Sequence, residues 1–282
     1  MTPLIDGDIL LHELGWSSQF KDKDTGEEIL FDFEVVEELL NKKIDIICED
    51  VGATKPPILF LSDSPWYTAK DNNRRKWLGL ESREYVEPFR YGLATSRPYK
   101  GTRNNPKPFH FYNIATYLLA NYEVRVDING MEADDLICKT QWEALEKGEK
   151  TIICSRDKDL RICPGWHYSW ECGKQLAVGP YETDSLGKLE FINDKFIGFG
   201  RAFFYYQMLV GDTADNIPGL PKYGHAKALK LLSECETEVD YYNVVKHEYK
   251  NHPTIDNPKE YFFEQANLLW MQMCGPYKPP KG

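Results

Sequence analysis

The sequence lacks the features that mark several classes of protein. It has no run of about 18 apolar residues, so we expect no membrane span and no membrane partner. The apolar start at Leu4 has neither a basic flank nor a small-residue cleavage site, so no secretory signal is expected. The seven cysteines are an odd number, and none follows the CxxC spacing. This pattern predicts reduced thiols and a cytoplasmic protein, in the host cytoplasm if the source is viral.

Positive charge is also scarce, because the formal net charge is −10. Such a charge argues against a basic surface for nucleic acid that covers the whole molecule. Residues 64–110 are the exception, with ten Lys or Arg residues against four acids, a local charge of +6 that leaves −16 elsewhere. We interpret this stretch as a segment that follows a phosphate backbone; a solvated basic loop is the alternative.

Hydrophobic patterning predicts an α/β fold over the first two thirds of the chain. Strand-like runs occupy four ranges, 3–6, 58–62, 122–128 and 151–155. Helical spacing lies between them, over 31–48, 109–121 and 132–147. This alternation predicts a mainly parallel central sheet with helices on both faces. We therefore predict an α/β domain over 1–190, with a partly helical basic insertion at 64–108, and a helical region over 191–282.

Acidic residues follow the predicted strands or begin the next element. They are Asp6, Asp63, Glu132, Asp134, Asp135, Asp157, Asp159, Asp212 and Asp215. Strand ends of a parallel sheet meet at one edge, so these carboxylates are expected to converge and repel one another. Mg²⁺ or Mn²⁺ would relieve that repulsion, and a pair of such ions can promote in-line phosphoryl displacement. Taken singly, each acid has a plainer interpretation as a turn residue or helix cap.

Six motifs occur in an order that resembles a known family. They are LIDGD (4–8), LFLSD (59–63), YKGTR (99–103), MEADD (131–135), SRDKDL (155–160) and GDTADNIPGL (211–220). Together they resemble the flap-endonuclease-like 5′-nucleases. The nearest resemblance is to the phage 5′→3′ exonucleases and the 5′-nuclease domains of bacterial DNA polymerases.

The resemblance implies two groups of ligands for Mg²⁺, with Mn²⁺ as a substitute. The first group comprises Asp6, Asp63, Glu132, Asp134 and Asp135. The second comprises Asp157, Asp159, Asp212 and Asp215. The catalytic residues it implies are Asp157, together with Lys100 and Arg103, which would hold the scissile phosphate and offset its developing charge.

The resemblance also implies residues that bind DNA. A helix-three-turn-helix after Asp215 would grip the duplex backbone, and segment 64–108 would replace the family's helical arch. The implied contacts are Arg74, Arg75, Lys76, Tyr99, Gly219, Lys222, Gly224 and Lys227. The chain departs from the family at Lys222, where glycine is common, and at Ala226, where lysine is common. The family's loop would bind a monovalent cation, K⁺, and these departures argue against such an ion in this chain.

The expected function is a Mg²⁺-dependent 5′→3′ exonuclease or structure-specific 5′-nuclease acting on DNA. Expected substrates are duplexes with a 5′ end, nick or flap, and RNA–DNA hybrids, cut by a monomer in phage replication, recombination or primer removal. One alternative is a PIN-like ribonuclease, which would lack the duplex-binding segment Gly211–Gly224. Another is a non-catalytic DNA-binding relative, in which some of the nine acids should be lost.

Overall fold

The computed structural model describes residues 1–103, 106–192 and 195–281. Residues 104 and 105 of the basic insertion therefore lie outside the described part. The strands are β1 (Thr2–Asp6), β2 (Gln19–Lys21), β3 (Glu28–Leu30), β4 (Ile58–Phe60), β5 (Glu123–Arg125), β6 (Thr151–Cys154), β7 (Gly165–Ser169), β8 (Val178–Thr183), β9 (Leu189–Ile192) and β10 (Lys195–Gly198). The helices are α1 (Gly7–Ser17), α2 (Phe33–Asp50), α3 (Pro65–Trp77), α4 (Phe89–Leu93), α5 (Phe111–Asn121), α6 (Ala133–Glu146), α7 (Gly200–Val210), α8 (His225–Leu232), α9 (Glu238–Lys250) and α10 (Pro258–Leu269). A 3₁₀ helix spans Asp159–Ile162.

The chain divides into two compact units, each built from several stretches of sequence. The first unit comprises Met1–Glu87, Asn105–Arg156 and Trp166–Tyr181. The second comprises Pro88–Asn104, Asp157–Gly165 and Glu182–Gly282. The division into domains at residue 190 stays a prediction. The two compact units follow a different division, because Pro88–Asn104 and Asp157–Gly165 belong to the second unit.

The first unit contains a sheet with the strand order β5-β4-β1-β6-β7-β8. The pairings from β5 through β7 are all parallel. In the register, Asp6 lies opposite Phe60 of β4, and Ile5 lies opposite Cys154 of β6. The carboxyl ends of these three strands therefore meet at one edge, as the acidic pattern predicts.

Helices cover both faces of this sheet. On one face, Ile5, Leu59 and Ile152 belong to a buried cluster with side chains of α1, α2 and α5. Because side chains alternate along a strand, the fully buried Leu4 and Ile153 point to the opposite face, where α6 packs against β1, β4 and β6. Each such buried aliphatic side chain contributes about 1.5–3 kcal/mol. The predicted fold class is confirmed.

The second unit is mainly helical, with the apolar helix α7 at its centre and α8, α9 and α10 packed against α7 or α9. Arg90 of α4 is 2% exposed and donates to the carbonyl oxygens of Leu268 and Trp270, each at 2.9 Å. These buried bonds explain why Pro88–Asn104 belongs to this unit.

One detail of the predicted pattern was wrong. The antiparallel hairpin of β9 and β10 lies at the start of the predicted helical region 191–282, where only helices were expected. Its two short apolar runs, LEFI and KFIG, were the missed signal. Within the described residues, no helix combines the length and apolar character needed to span a bilayer.

Candidate active site

Asp6 ends β1 and caps α1 in the first unit. Its side chain is 1% exposed and accepts from the Ile9 backbone N–H at 3.2 Å and from the Ser155 hydroxyl at 2.7 Å. Ser155 follows β6, so this bond joins two neighbouring strand ends. The helix-cap role that we weighed for a lone acid is therefore present at Asp6. Its predicted role as a metal ligand stays a prediction.

Asp63 lies three residues beyond β4 and is gripped by Arg83. The guanidinium donates to Oδ2 at 2.8 Å and to Oδ1 at 3.0 Å, and also to Asp71 at 2.8 Å. The side chains of Arg83 and Asp63 are only 10% and 5% exposed. The hydrogen bonds that Arg83 donates to Asp63 raise the pKa of the arginine above its ordinary value, against the effect of burial. A buried, bidentate cation thus neutralises a predicted metal ligand.

The acids of the MEADD motif stand at the start of α6. Asp135 is fully buried and accepts from the Glu132 backbone N–H at 3.3 Å as part of a capping box. The Ala133 N–H donates to the hydroxyl of Ser62 at 3.0 Å, which ties this helix start to the end of β4. Asp134 is half-buried. Helix capping is again real here, while ligand roles stay predictions.

The second predicted ligand group lies wholly in the second unit. Asp159 begins the 3₁₀ helix, and its backbone N–H donates to Asp157 Oδ1 at 2.9 Å. Its own Oδ1 accepts from Lys158 Nζ at 2.7 Å and from Gln207 Nε2 at 2.6 Å. The Lys158 ammonium also donates to Asp212 Oδ2. One lysine therefore bridges two of the predicted ligands.

The surroundings of Asp159 and Asp212 shift the pKa values of these two acids in opposite directions. Burial, together with the charge of Asp157, raises the pKa of Asp159 to about 7. Burial also acts to raise the pKa of Asp212, but Lys158 and the Ala214 N–H outweigh it and hold that pKa below its ordinary value. The ammonium of Lys158 has a raised pKa because the two carboxylates outweigh its own burial. Neighbouring carboxylates whose pKa values are shifted apart are common at functional sites.

The YKGTR motif is fastened to the segment that carries Asp215. The Tyr99 hydroxyl donates to Asp215 Oδ2 at 3.1 Å, and the Lys100 N–H donates to the Asp215 carbonyl oxygen at 2.9 Å. Arg103 donates to Asp215 Oδ1, and its side chain is 53% exposed. Lys100 adopts a left-handed backbone with φ +52°. The structure thus places the Arg103 guanidinium and the backbone of Lys100 beside an acid of the second group.

The loop from Gly211 to Gly224 connects α7 to α8, as the helix-three-turn-helix prediction requires. A Cβ on Gly219 would lie 2.3 Å from the Gly211 nitrogen, so this glycine is needed for close backbone approach. Its N–H donates to Gln265 Oε1 at 3.0 Å, and its carbonyl accepts from Tyr261 at 2.6 Å. A contact from Gly219 to DNA stays a prediction, and the structure supplies an internal reason for the glycine.

The other predicted DNA contacts are mostly exposed. Lys222, Gly224 and Lys227 lie at the surface around the start of α8. Arg74 and Lys76 are exposed in the last turn of α3, while Arg75 donates to the Glu81 carbonyl oxygen at 2.6 Å. Their binding roles, and the K⁺ site, stay predictions.

The carboxylate oxygens suit a hard divalent ion, but several of them accept hydrogen bonds from Arg83 or Lys158 in this structure. Among the residues that the structure describes, no three Asp, Glu, His or Cys side chains are grouped so as to hold a metal ion. Arg83 and Lys158 explain part of this, since each neutralises predicted ligands. A buried oxygen, Gln207 Oε1, adds a neutral donor beside Asp159, and it has no hydrogen-bond partner within the described chain. Carboxylate and amide oxygens are the ligands that Mg²⁺ and Mn²⁺ take.

Sequence reasoning missed three side chains that shape these clusters. Arg83 is twenty residues from Asp63 and was counted only as part of the basic stretch. Lys158 stands between Asp157 and Asp159 in the motif, a position that hinted at its pairing. Gln207 sits in an apolar helix and gave no chemical signal.

Curated relatives match part of the chain. A 5′-3′ exonuclease of Buchnera aphidicola subsp. Schizaphis graminum is 31% identical over 121 residues, or 43% of this chain and 39% of that protein. DNA polymerase I of Bacillus subtilis is 27% identical over 157 residues, covering 53% of this chain and 17% of the polymerase. The matches span about two fifths or less of each relative's length. No protein-family model matches the chain.

Solved structures match over nearly the whole chain. The bacteriophage T5 D15 protein co-crystallised with metal ions has a TM-score of 0.55 at 13% identity, covering 95% of this chain and 88% of that one. The T5 D15 flap endonuclease in a pseudo-enzyme-product complex with DNA and metal ions gives a TM-score of 0.53 with the same identity and coverage. At this identity the likeness shows the fold. The predicted resemblance to the flap-endonuclease-like 5′-nucleases is confirmed in both sequence and fold.

Proposed function

We propose that this chain is a Mg²⁺-dependent 5′-nuclease that hydrolyses DNA phosphodiester bonds, as a 5′→3′ exonuclease or at 5′ structures. The observation that carries the proposal is the fastening of Tyr99, Lys100 and Arg103 to Asp215. This arrangement holds the Arg103 guanidinium, which suits a phosphate, next to the Asp215 carboxylate, which suits a divalent ion, and it fixes the backbone of Lys100 beside them. The names of the curated relatives and the T5 complex with DNA and metal ions support it.

Each residue group then has a distinct chemical task. The acids of the two groups would hold Mg²⁺, or Mn²⁺ in its place, and the bound ion would supply a Lewis acid and positive charge. Lys100 and Arg103 would grip the scissile phosphate and offset the negative charge that grows on it during attack. Arg103 is suited to this task because its half-exposed guanidinium can exchange Asp215 for a phosphate oxygen.

DNA would be held outside the chemical centre by the loop and the basic segment. Lys222 and Lys227 border the start of α8, where backbone N–H groups favour phosphate. Trp77 is 84% exposed beside Arg74 and Lys76, so it can stack on an unpaired base. We propose duplexes with a 5′ end, nick or flap, and RNA–DNA hybrids, as substrates of a cytoplasmic monomer that serves phage DNA replication, recombination or primer removal.

The two other functions weighed from the sequence have less support. A PIN-like ribonuclease has no need of the loop between α7 and α8 or of the helical second unit. A non-catalytic relative has no need of half-buried, mutually repelling acids such as Asp157 and Asp159, which cost stability without a cation. Both alternatives remain outcomes of the experiment below.

A substrate panel tests the proposal directly. The full chain is incubated with 5′-labelled duplex, nicked, flapped and hybrid substrates and with single-stranded RNA, in Mg²⁺ or EDTA, and product lengths are measured. We expect short products from 5′ ends or flaps in Mg²⁺ only. Intact DNA in every Mg²⁺ lane, with binding retained, would identify a non-catalytic relative. Cleavage of single-stranded RNA alone would favour the ribonuclease.

Two substitutions separate chemistry from binding. Asp157→Ala should abolish cutting but keep DNA binding, since this acid is assigned to the metal. Lys100→Ala should slow single-turnover cleavage more than it weakens DNA affinity. Equal losses in rate and affinity would make Lys100 an anchor without a chemical role.

A further inference from the structure

Gln207 has a buried oxygen that its surroundings do not use. The side chain projects from α7, which packs against the 3₁₀ helix, and the residue is 2% exposed. Its amide nitrogen donates to Asp159 Oδ1 at 2.6 Å. The amide oxygen has no hydrogen-bond partner among the described residues. Leaving a buried acceptor unpaired costs about 1–3 kcal/mol, so a ligand for this oxygen is expected.

Lys158 shows that the neighbouring carboxylates already share a positive charge. Its ammonium bonds to both Asp159 Oδ1 and Asp212 Oδ2. The lysine side chain is 47% exposed, whereas those of Asp159 and Asp212 are 16% and 3% exposed. The flexible lysine stem can therefore swing into solvent, while the two acids stay in place.

We propose that Asp159, Asp212 and Gln207 Oε1 are ligands of one divalent-cation site, and that Lys158 is a tethered competitor for that site. The ammonium holds the two carboxylates together until a divalent ion displaces it. Gln207 supplies an oxygen without a further negative charge, which suits a cluster where Asp157 already crowds Asp159. This inference rests on the proposed function only in naming the ion as a divalent metal.

A plainer role for Gln207 would be to position Asp159 through its N–H. A substitution by glutamate distinguishes a ligand role of the amide oxygen from a positioning role of the amide N–H. Glutamate keeps an oxygen ligand but loses the donor, so it preserves metal binding only if the oxygen matters. Leucine removes both the donor and the oxygen.

Binding of Mn²⁺ alone, followed by the electron paramagnetic resonance signal of the free ion, tests the site without DNA. The full chain carries Asp63→Asn throughout, so that the first ligand group is weakened in every sample. Gln207→Leu, Gln207→Glu and Lys158→Met are compared in this background. Gln265→Leu is the matched control, because Gln265 is equally buried but bonds through both ends of its amide, to Gly219 and Ser96.

We expect Gln207→Leu to weaken Mn²⁺ binding about tenfold or more, as loss of a supporting ligand commonly does. Gln207→Glu should bind at least as tightly as the parent, and Lys158→Met about fivefold more tightly. Gln265→Leu should match the parent.

Three results would overturn the inference. Parental affinity in Gln207→Leu would remove the oxygen from the site, and an equal loss in Gln207→Glu would leave Gln207 a positioning residue. Unchanged or weaker binding in Lys158→Met would show that the lysine does not compete. If Mn²⁺ binds as expected but no DNA is cut, the proposed function fails while this site stands.

Discussion

Replacing Arg83 by methionine removes the cation that grips Asp63 but keeps most of the apolar stem. Asp63 is 5% exposed and would lose two charge-assisted hydrogen bonds, of 2.8 and 3.0 Å. Removing one partner of a buried ion pair commonly costs about 3–5 kcal/mol, because the remaining charge stays buried. We expect Arg83→Met to lower the free energy of unfolding by about 3 kcal/mol, at the lower end of this range, because the Asp63 carboxylate still accepts a hydrogen bond from the Ser64 N–H at 2.8 Å.

A double-mutant cycle separates the pair from other effects of each change. The variants are Asp63→Asn, Arg83→Met and the two combined, unfolded in denaturant without divalent ions and followed by tryptophan fluorescence. The double variant should cost less than the sum of the singles, with a coupling of about 2 kcal/mol, since residue 63 no longer carries an unpaired buried charge in it. Saturating Mn²⁺ should recover part of the loss in Arg83→Met alone. Additive costs, within about 0.5 kcal/mol, would refute the claim that Arg83 neutralises Asp63.

Other changes test the second unit and the core. The folded-state pKa of Asp159, about 7, lies above its ordinary 3.8, so its stability contribution is present at low pH and lost as pH rises through about 7. Asp159→Asn should therefore stabilise the chain by about 1 kcal/mol at pH 8, with the gain vanishing near pH 4 in denaturant titrations, while DNA cleavage is lost. Lys222 has φ +65°, so Lys222→Gly should raise the unfolding free energy by about 0.5 kcal/mol; destabilisation would show that no strain is stored there. Burial raises the pKa of Tyr122 to about 12, so stability should fall as pH rises from 10, and Tyr122→Phe should show a shallower fall in alkaline denaturation.

The fold could be predicted largely because local patterns and the sheet agree. The strand end at Asp6 and the helix start at Glu132 follow from an apolar run and acidic caps in the sequence, whereas β4 ends at Phe60, two residues before the end of its predicted run. The hairpin of β9 and β10 could not be separated from a helical region, because short apolar runs fit both structures. Arg90 illustrates a further limit: an arginine in a basic stretch gives no sign that it will be buried against the carbonyl oxygens of Leu268 and Trp270.

In the candidate site too, the positions of the acids could be predicted from the sequence, but their ion pairs could not. The positions of the acids follow from strand ends, and the two predicted ligand groups each fall within a single compact unit. The cations that neutralise them could not be predicted, because Arg83 reaches Asp63 across a loop and Arg103 reaches Asp215 from a distant stretch. The sequence shows where the charged residues stand along the chain, whereas their ion pairs depend on the conformation of the loops that connect them.

This pairing also resolves how a chain with so many clustered acids can fold before it binds any ion. Buried carboxylates without cations would each raise the free energy of the folded state. Here Arg83 serves the first unit, and Lys158 and Arg103 serve the second, so each cluster carries its own counter-charge. Because Lys158 and Arg103 are about half exposed, they can leave their acids when a metal ion or a phosphate offers a better charge balance. Arg83, at 10% exposure, is held more firmly, so the first unit should exchange its cation at a greater energetic cost than the second.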